Sequence, residues 1–282
     1  MLRNSRPFSW PNTALPCLAA ALLSGRLSAA VVLATLYFTL PYNVLLYGVN
    51  DLFDHDSDRL NPRKGGLIEG GLVGPSRRSR LLGLVAATNL PLLLAIFLLS
   101  RPAAAAALVL TVISALVYSA PPLRLKERPG LDSATSALHF VLPAVCGALV
   151  AGAALSELPW RFLLAFFLWG TASHALGAIQ DVEFDRAAGM RSIATALGGR
   201  GTALLALGLY LAAGLLTASA GALAAWAAVV VLPYAALASL AAHRPRLAWR
   251  GFLGLNLLAG AYLTRVLMQS RGLVHDPLAF PS

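Results

Sequence analysis

Long apolar stretches, separated by short polar segments, recur along nearly the whole chain. Crossing the hydrocarbon core of a bilayer takes about 20 apolar residues in a helix. The predicted spans are residues 12–24, 29–49, 81–99, 103–119, 133–153, 161–180, 202–219, 222–241 and 248–269. Several are rich in Ala, Gly and Leu, and small residues let membrane helices approach closely. The pattern predicts an all-α, multi-pass membrane bundle of nine transmembrane helices that forms one domain over residues 1–282.

The composition agrees with a membrane location. Hydrophobic residues make up 58% of the 282 residues and charged residues only 12%, whereas a soluble domain carries about 25% charged residues. The mean hydropathy is +0.71. Cys17 and Cys146 both lie inside apolar stretches, so their spacing predicts neither a disulfide framework nor a zinc site. The first apolar run follows Arg3 and Arg6, and we interpret it as a membrane helix rather than a cleaved signal peptide.

The charge is distributed unevenly between the predicted loops. The net charge of +10 would suggest a nucleic-acid partner in a soluble protein. Here, if the N-terminus is cytoplasmic, 17 of the 22 Lys and Arg residues fall in the N-terminal tail and the loops near 50–80, 120–132, 181–201 and 242–250. The positive-inside rule then places these segments at the cytoplasmic face of a cell membrane and the C-terminus outside. No nucleic-acid partner is expected.

Ten of the 12 acidic residues lie on this same side, although carboxylates contribute little to topology. One group of them is in the segment Asn50-Asp-Leu-Phe-Asp-His-Asp-Ser-Asp58. If the second span continues into this segment as a helix, five polar side chains share one stripe of its surface. These are Asn43, Tyr47, Asn50, Asp54 and Asp58.

A second acidic segment, Asp181-Val-Glu-Phe-Asp185, follows the sixth span. Continued as a helix, that span places His174, Asp181 and Asp185 on one stripe. Two carboxylate clusters at one membrane face repel each other unless a cation lies between them. Oxygen ligands favour Mg²⁺, whose coordination is commonly completed by water and substrate phosphates. The two segments therefore predict a magnesium–diphosphate site, with a cation-coupled transporter as the alternative, because intramembrane carboxylates also mark ion pathways.

Basic residues lie in three of the predicted cytoplasmic loops. Arg63 and Lys64 belong to the turn Asn61-Pro-Arg-Lys-Gly-Gly66, Lys126 ends the loop after the fourth span, and Arg191 follows the second acidic segment. Arg binds phosphate through a planar fork and Lys binds it as a point charge. We expect these side chains to meet a diphosphate held at the carboxylates.

The chain resembles the UbiA superfamily of intramembrane prenyltransferases, which has nine transmembrane helices. The segment Asn50–Asp58 matches the family motif NDxxDxxxD in full, and Asp181–Asp185 matches the second motif, DxxxD. The spacing of the motifs, the Tyr118–Lys126 loop and the nine spans also agree, so the resemblance covers essentially the whole chain. Within the family, the segments Asn61–Gly66 and Gly177–Arg186 are most similar to bacterial lycopene elongases.

The resemblance implies Mg²⁺-dependent transfer of a prenyl group from a prenyl diphosphate to a lipophilic acceptor in the lipid bilayer, such as lycopene or another carotenoid. An aromatic acceptor of quinone biosynthesis is the alternative within the family. The implied Mg²⁺ ligands are Asn50, Asp51, Asp54, Asp58, Asp181 and Asp185. The implied diphosphate contacts are Lys126, Arg63 and Arg191, and Tyr118 would border the allylic end of the donor. Asn43, Tyr47 and His174 are further candidates for contact with the substrate.

Overall fold

The structure, a computed structural model, describes residues 2–24, 27–59, 70–219 and 222–270. Within these ranges the chain forms helices and turns and contains no strand, which confirms the all-α prediction. The longer helices are α1 (Pro11–Leu23), α2 (Ala29–Tyr37), α3 (Leu40–Phe53), α4 (Arg78–Leu99), α5 (Pro102–Ser119), α6 (Leu131–Val150), α7 (Trp160–Ala178), α8 (Ile193–Ala218), α9 (Ala222–Ala241) and α10 (Pro245–Ser270). Shorter helices are Leu2–Ser5, His55–Asp58 and Val182–Ala187.

Six helical segments of the described chain are long and apolar enough to cross a membrane. They are Ala29–Phe53, Pro75–Leu99, Pro102–Ser119, Leu131–Val150, Trp160–Ala187 and Ile193–Ala218. Helix α1 is apolar but has only 13 residues. On α4, Leu90, Leu94 and Leu98 are exposed at helical spacing, as expected of a surface that faces lipid. These features support a membrane bundle, while nine crossings remain a prediction.

The helices pack in a closed ring. Each long helix contacts the next along the chain, and α10 contacts α1. Helix α1 also packs against α6, which links the two ends of the first half. One apolar core is built from side chains of α1 to α6, and a second from side chains of α7 to α10. The bundle therefore has two packed halves that meet along α6, α7, α1 and α10.

The second predicted span is interrupted. Helix α2 ends at Tyr37 and α3 begins at Leu40, because Thr39 leaves helical geometry at φ −80° and ψ −100°. The Asn43 amide donates hydrogen bonds to the Phe38 carbonyl at 3.1 Å and to the Thr13 hydroxyl at 2.8 Å. It thus satisfies a backbone group that the break frees. Asn43 is fully buried in these contacts, and its contact with substrate stays a prediction.

Helices α1 and α6 approach each other closely at Gly147. A methyl group added there would overlap the backbone carbonyl of Cys17, which cannot rotate away. We expect Gly147→Ala to destabilise the protein by about 1–3 kcal/mol, the usual cost of overpacking. The measurement is the midpoint of thermal unfolding in detergent. Gly83→Ala on α4 is the matched control, since no atom lies within 4 Å of its added methyl group; equal midpoints for both variants would contradict the prediction.

Candidate active site

The first acidic motif begins in the last turn of α3 and extends beyond its end. Helix α3 ends at Phe53 and helical structure resumes at His55, so the helix is interrupted at Asp54. Backbone hydrogen bonds nevertheless join Asp54 N to Asn50 O at 3.1 Å and Asp58 N to Asp54 O at 2.7 Å. Four-residue bonds of this kind keep the three residues on one face. The predicted alignment of Asn50, Asp54 and Asp58 is present, and both aspartates are buried.

Lys126 from the loop after α5 contacts this face directly. Its ammonium forms an ion pair with Asp54 and donates to the Asn50 side-chain oxygen at 3.4 Å. The Ser119 hydroxyl donates to the same Asn50 oxygen at 3.1 Å. Burial lowers the pKa of Lys126, and the neighbouring Asp54 carboxylate opposes that shift. The loop thus places a buried cation against the first motif.

Arg124 supplies a second positive charge at Asp54. Its guanidinium lies 3.5 Å from the Asp54 carboxylate, and its Nε donates to Glu127 at 2.9 Å. The Arg124 backbone is in the left-handed region, with φ +40°. For a residue other than Gly this conformation costs about 1–2 kcal/mol. The two carboxylates that hold the guanidinium help to offset this cost, and they fix Arg124 beside Lys126.

Asp51 faces a different part of the molecule. Its carboxylate accepts hydrogen bonds from Asn4 Nδ2 at 2.8 Å and Gly71 N at 3.2 Å, and it forms an ion pair with Arg6 at 3.3 Å. The Arg6 guanidinium also lies over the Tyr47 ring, 4.4 Å from its centroid. Asp51 is buried in these protein contacts. These contacts are with protein groups, whereas the resemblance implied contacts of Asp51 with a metal. The Arg6 guanidinium covers the ring of Tyr47, which was predicted to meet substrate.

The second acidic motif does not extend α7 as a regular helix. Helix α7 ends at Ala178, residues Ile179–Asp181 form a 3₁₀ turn, and a short helix covers Val182–Ala187. A 3₁₀ turn has about 3 residues per turn rather than about 3.6, so the regular stripe from His174 to Asp181 is interrupted. Asp181 and Asp185 are half-buried, and the Ser192 hydroxyl lies 3.4 Å from Asp185.

Asp132 ties the start of α6 to the start of α8, next to the second motif. Its buried carboxylate accepts from the backbone N–H groups of Gly130 and Ile193, both at 2.8 Å. A carboxylate is favourable at a helix N-terminus because unpaired N–H groups point toward it. Arg191, predicted to meet the diphosphate, lies two residues before Ile193 and is exposed.

Tyr118 and His174, which were predicted separately, meet inside the bundle. The Tyr118 hydroxyl lies 3.0 Å from His174 Nε2, and the Ser133 hydroxyl lies 3.0 Å from His174 Nδ1. The His139 ring packs edge-on against Tyr118, with 5.1 Å between the ring centroids. This polar chain joins α5, α6 and α7. It lies beside the first motif, because Ser119, the neighbour of Tyr118, contacts Asn50.

Two predicted diphosphate contacts, Arg63 and Lys64, lie outside the described residues. Within the described ranges, no group of three or more His, Cys, Asp or Glu side chains is close enough to hold a metal ion by itself. The assignment of Asn50, Asp54, Asp58, Asp181 and Asp185 as Mg²⁺ ligands therefore stays a prediction.

Sequence reasoning did not find the site contacts of Arg6, Ser119 and Asp132. In the sequence, Arg6 was considered only as a positive charge before the first span. Nothing in the sequence pairs it with Asp51, which is 45 positions away. Ser119 is an uncharged neighbour of Tyr118. Asp132 offered a weak signal, since it is an acidic residue on the predicted cytoplasmic side that belongs to neither motif.

Carboxylates and basic side chains thus meet at the ends of helices in an apolar bundle, an arrangement typical of membrane enzymes that act on anionic substrates. The model of the UbiA prenyltransferase family matches residues 13–260. The chain belongs to this family, and it is an integral membrane prenyltransferase.

The sequence relatives include proteins of carotenoid biosynthesis. The chain is 44% identical over 278 residues to the C(50) beta-cyclic carotenoids biosynthesis protein LbtBC of Dietzia sp., covering 95% of this chain and 64% of that protein. The chain therefore spans somewhat less than two thirds of that relative. It is 40% identical over 276 residues to the lycopene elongase/hydratase of Corynebacterium glutamicum, covering 95% of this chain and 96% of that protein.

The fold matches solved structures over nearly the whole chain. A UbiA homolog from Archaeoglobus fulgidus, solved with DMAPP and Mg²⁺, superimposes with a TM-score of 0.77. It is 21% identical, and the match covers 97% of this chain and 99% of that one. The apo structure of a UbiA homolog from Aeropyrum pernix gives a TM-score of 0.71 at 24% identity, with coverage of 92% and 98%. These matches establish the common fold.

Proposed function

We propose that this chain transfers a prenyl group from a prenyl diphosphate to a lipophilic acceptor of the carotenoid class, such as lycopene. The observation that carries the proposal is the convergence of Lys126 and Arg124 on Asp54 and its neighbour Asn50. Two further findings support it. The relatives named above belong to carotenoid biosynthesis or are lycopene elongase/hydratases, and a structure of the same fold was solved with a prenyl diphosphate and Mg²⁺.

The basic side chains would receive the diphosphate. As the allylic C–O bond breaks, its electron pair and the growing negative charge pass to the diphosphate. Lys126 and Arg124 are held in place before the substrate arrives, so they stabilise that charge with little reorganisation. Arg63, Lys64 and Arg191 are the further predicted contacts from the neighbouring segments.

The side chains of the two motifs fit Mg²⁺ by their chemistry. The aspartates offer carboxylate oxygens, and Asn50 offers an amide oxygen that already accepts from Lys126 and Ser119. Mg²⁺ is typically bound through one or two carboxylates, waters and substrate phosphates, so oxygen ligands of this kind suit it. Asn50, Asp54 and Asp58 from the first motif, with Asp181 and Asp185 from the second, would hold it. When bound, Mg²⁺ supplies positive charge to the leaving diphosphate.

The interior residues would stabilise the allylic cation and shield it from water. Tyr118 is fixed by His174 and packs against His139, which puts aromatic faces next to the first motif. Apolar helices exclude water from the cation until the double bond of the acceptor attacks it. The new C–C bond leaves a cation on the acceptor, and loss of a proton completes the transfer. In this scheme the motifs lie at the cytoplasmic face, and the chain works as one domain with nine crossings.

The test supplies purified protein in lipid nanodiscs with dimethylallyl or geranyl diphosphate and Mg²⁺. Lycopene and an aromatic quinone precursor are offered as separate acceptors, and products are identified by mass. We expect lycopene to gain one or two prenyl units and expect chelation of Mg²⁺ by EDTA to stop the reaction. Prenylation of the aromatic compound alone would show that the acceptor is an aromatic quinone precursor and not a carotenoid. In a parallel assay in proteoliposomes, ion-gradient-driven uptake without diphosphate release would indicate a transporter instead of an enzyme.

A further inference from the structure

The second residue of the first motif, Asp51, has its own contacts, separate from those of Asp54. Oxygen Oδ2 accepts from Asn4 Nδ2 at 2.8 Å and Gly71 N at 3.2 Å, and Oδ1 pairs with Arg6 at 3.3 Å. The side chain has no exposed surface. Both oxygens are engaged by protein donors, and a buried carboxylate with charged and amide donors is costly to detach from them. Asp51 also lies about 100° around the helix from its neighbour Asn50, away from the face that carries Asn50, Asp54 and Asp58.

Arg6 is held tightly on its side of this contact. Its backbone is left-handed, at φ +46°, and its guanidinium covers the Tyr47 ring at 4.4 Å. Gly70 makes room for it, because a methyl group at Gly70 would lie 2.8 Å from Arg6 Nε. Gly70 is also left-handed, at φ +94°, which side chains rarely tolerate. A strained arginine and a glycine that allows its approach both indicate a specific contact rather than a chance surface pair.

These contacts join three separate parts of the chain at one carboxylate. The Leu2–Ser5 helix packs against α3, which carries Asp51 itself. Gly71 lies in the non-helical segment that leads to α4. Asp51 is also next to Asn50, whose oxygen receives Lys126 and Ser119. Moving Asp51 would therefore disturb Gly71, the N-terminal segment and the Asn50 backbone together.

We propose that Asp51 is a positioning residue that clamps the N-terminal segment and the chain at Gly71 to α3 beside the diphosphate site, and that it is not a Mg²⁺ ligand. The clamp, defined as Asn4, Arg6, Asp51 and Gly71, sets how well the prenyl diphosphate binds. This inference rests on the proposed function for its kinetic consequence. Its structural content, the contact between Arg6 and Asp51, can be tested without any activity.

The first experiment measures the contact itself by thiol labelling. Ser5 is fully buried beside the clamp, so a cysteine there reports opening of the clamp. The two native cysteines, Cys17 and Cys146, are also buried, so the parent protein should give little background labelling. In a Ser5→Cys protein, adding Asp51→Asn or Arg6→Ala is expected to raise the maleimide labelling rate at least about tenfold, because local opening becomes more frequent. Unchanged labelling in both variants would overturn the clamp, whatever the enzyme assay shows.

The second experiment separates positioning from metal binding. We expect Asp51→Asn and Arg6→Ala each to raise the KM for geranyl diphosphate about tenfold, since small misplacements of binding groups have effects of this size or larger. The Mg²⁺ concentration for half-maximal activity should stay within about twofold, whereas Asp58→Asn should raise it. The double variant should be no worse than either single variant, because both remove one contact.

Three results would overturn the proposal. One is an Asp51→Asn protein whose Mg²⁺ requirement rises as much as that of Asp58→Asn. Another is a double variant with additive effects on KM, which would mean that Arg6 and Asp51 act independently. If Asp51→Asn fails to fold, Arg6→Ala decides alone, and an unchanged KM in that variant would refute the clamp. Absence of prenyl transfer in the unmodified protein would refute the proposed function while leaving the labelling result valid.

Discussion

Replacing Asp54 with Asn is expected to lower the rate of prenyl transfer by at least about 1000-fold. Asp54 is buried, and both Lys126 and Arg124 contact its carboxylate. The amide has no charge to hold Mg²⁺ or to keep two cations in place. Removing the carboxylate also leaves the buried Lys126 ammonium without its partner, which is strongly unfavourable. The measurement is the initial rate of diphosphate release at saturating donor and Mg²⁺.

The second motif should respond in the same way, and it offers a matched control. Asp181→Asn is expected to reduce the rate as severely as Asp54→Asn, because in the proposed site both motifs hold the metal-bound diphosphate. Glu183 lies in the same short segment but is exposed and outside the motif positions. Glu183→Gln should therefore keep nearly full activity. An Asp54→Asn protein with more than about a tenth of the original rate would refute the assigned role.

Replacing Lys126 with Met is expected to reduce kcat/KM for the donor by about 100- to 1000-fold, the range seen when one preorganised donor to a developing charge is removed. Lys126 is the ammonium that contacts both Asn50 and Asp54. Met preserves the length of the chain but removes the charge. The rate should be measured over a range of donor concentrations, so that binding and turnover are resolved.

Arg128→Met is the control for that experiment. Arg128 lies in the same loop, two residues after Lys126, and is exposed. Like Lys126, it adds one positive charge to a predicted cytoplasmic loop. Removing it therefore tests whether activity depends only on the net positive charge of the loop. We expect near-normal kcat/KM for this variant. Equal losses in both variants would mean that Lys126 acts through general surface charge and not through the site.

Much of the fold could be predicted because its signal is local. A membrane helix needs a long apolar run and little else, so the positions of the helices follow from the sequence. The break between α2 and α3 could not be predicted from the apolar pattern. It depends on Asn43 reaching the Phe38 carbonyl and Thr13 of another helix. The 3₁₀ turn at Ile179–Asp181 likewise escaped a pattern that assumed regular helices.

The acidic segments themselves were determined by the sequence, because carboxylates near the ends of apolar spans are conspicuous and their four-residue spacing fixes one helical face. The sequence also determined that Lys126 belongs near them, but not which atoms it meets. Only the tertiary structure decided that Lys126 and Arg124 share Asp54 while Arg6 takes Asp51. The physical reason is that neighbouring aspartates on a helix point in different directions. Each is then paired by whichever distant segment the packing of the bundle brings within hydrogen-bond reach.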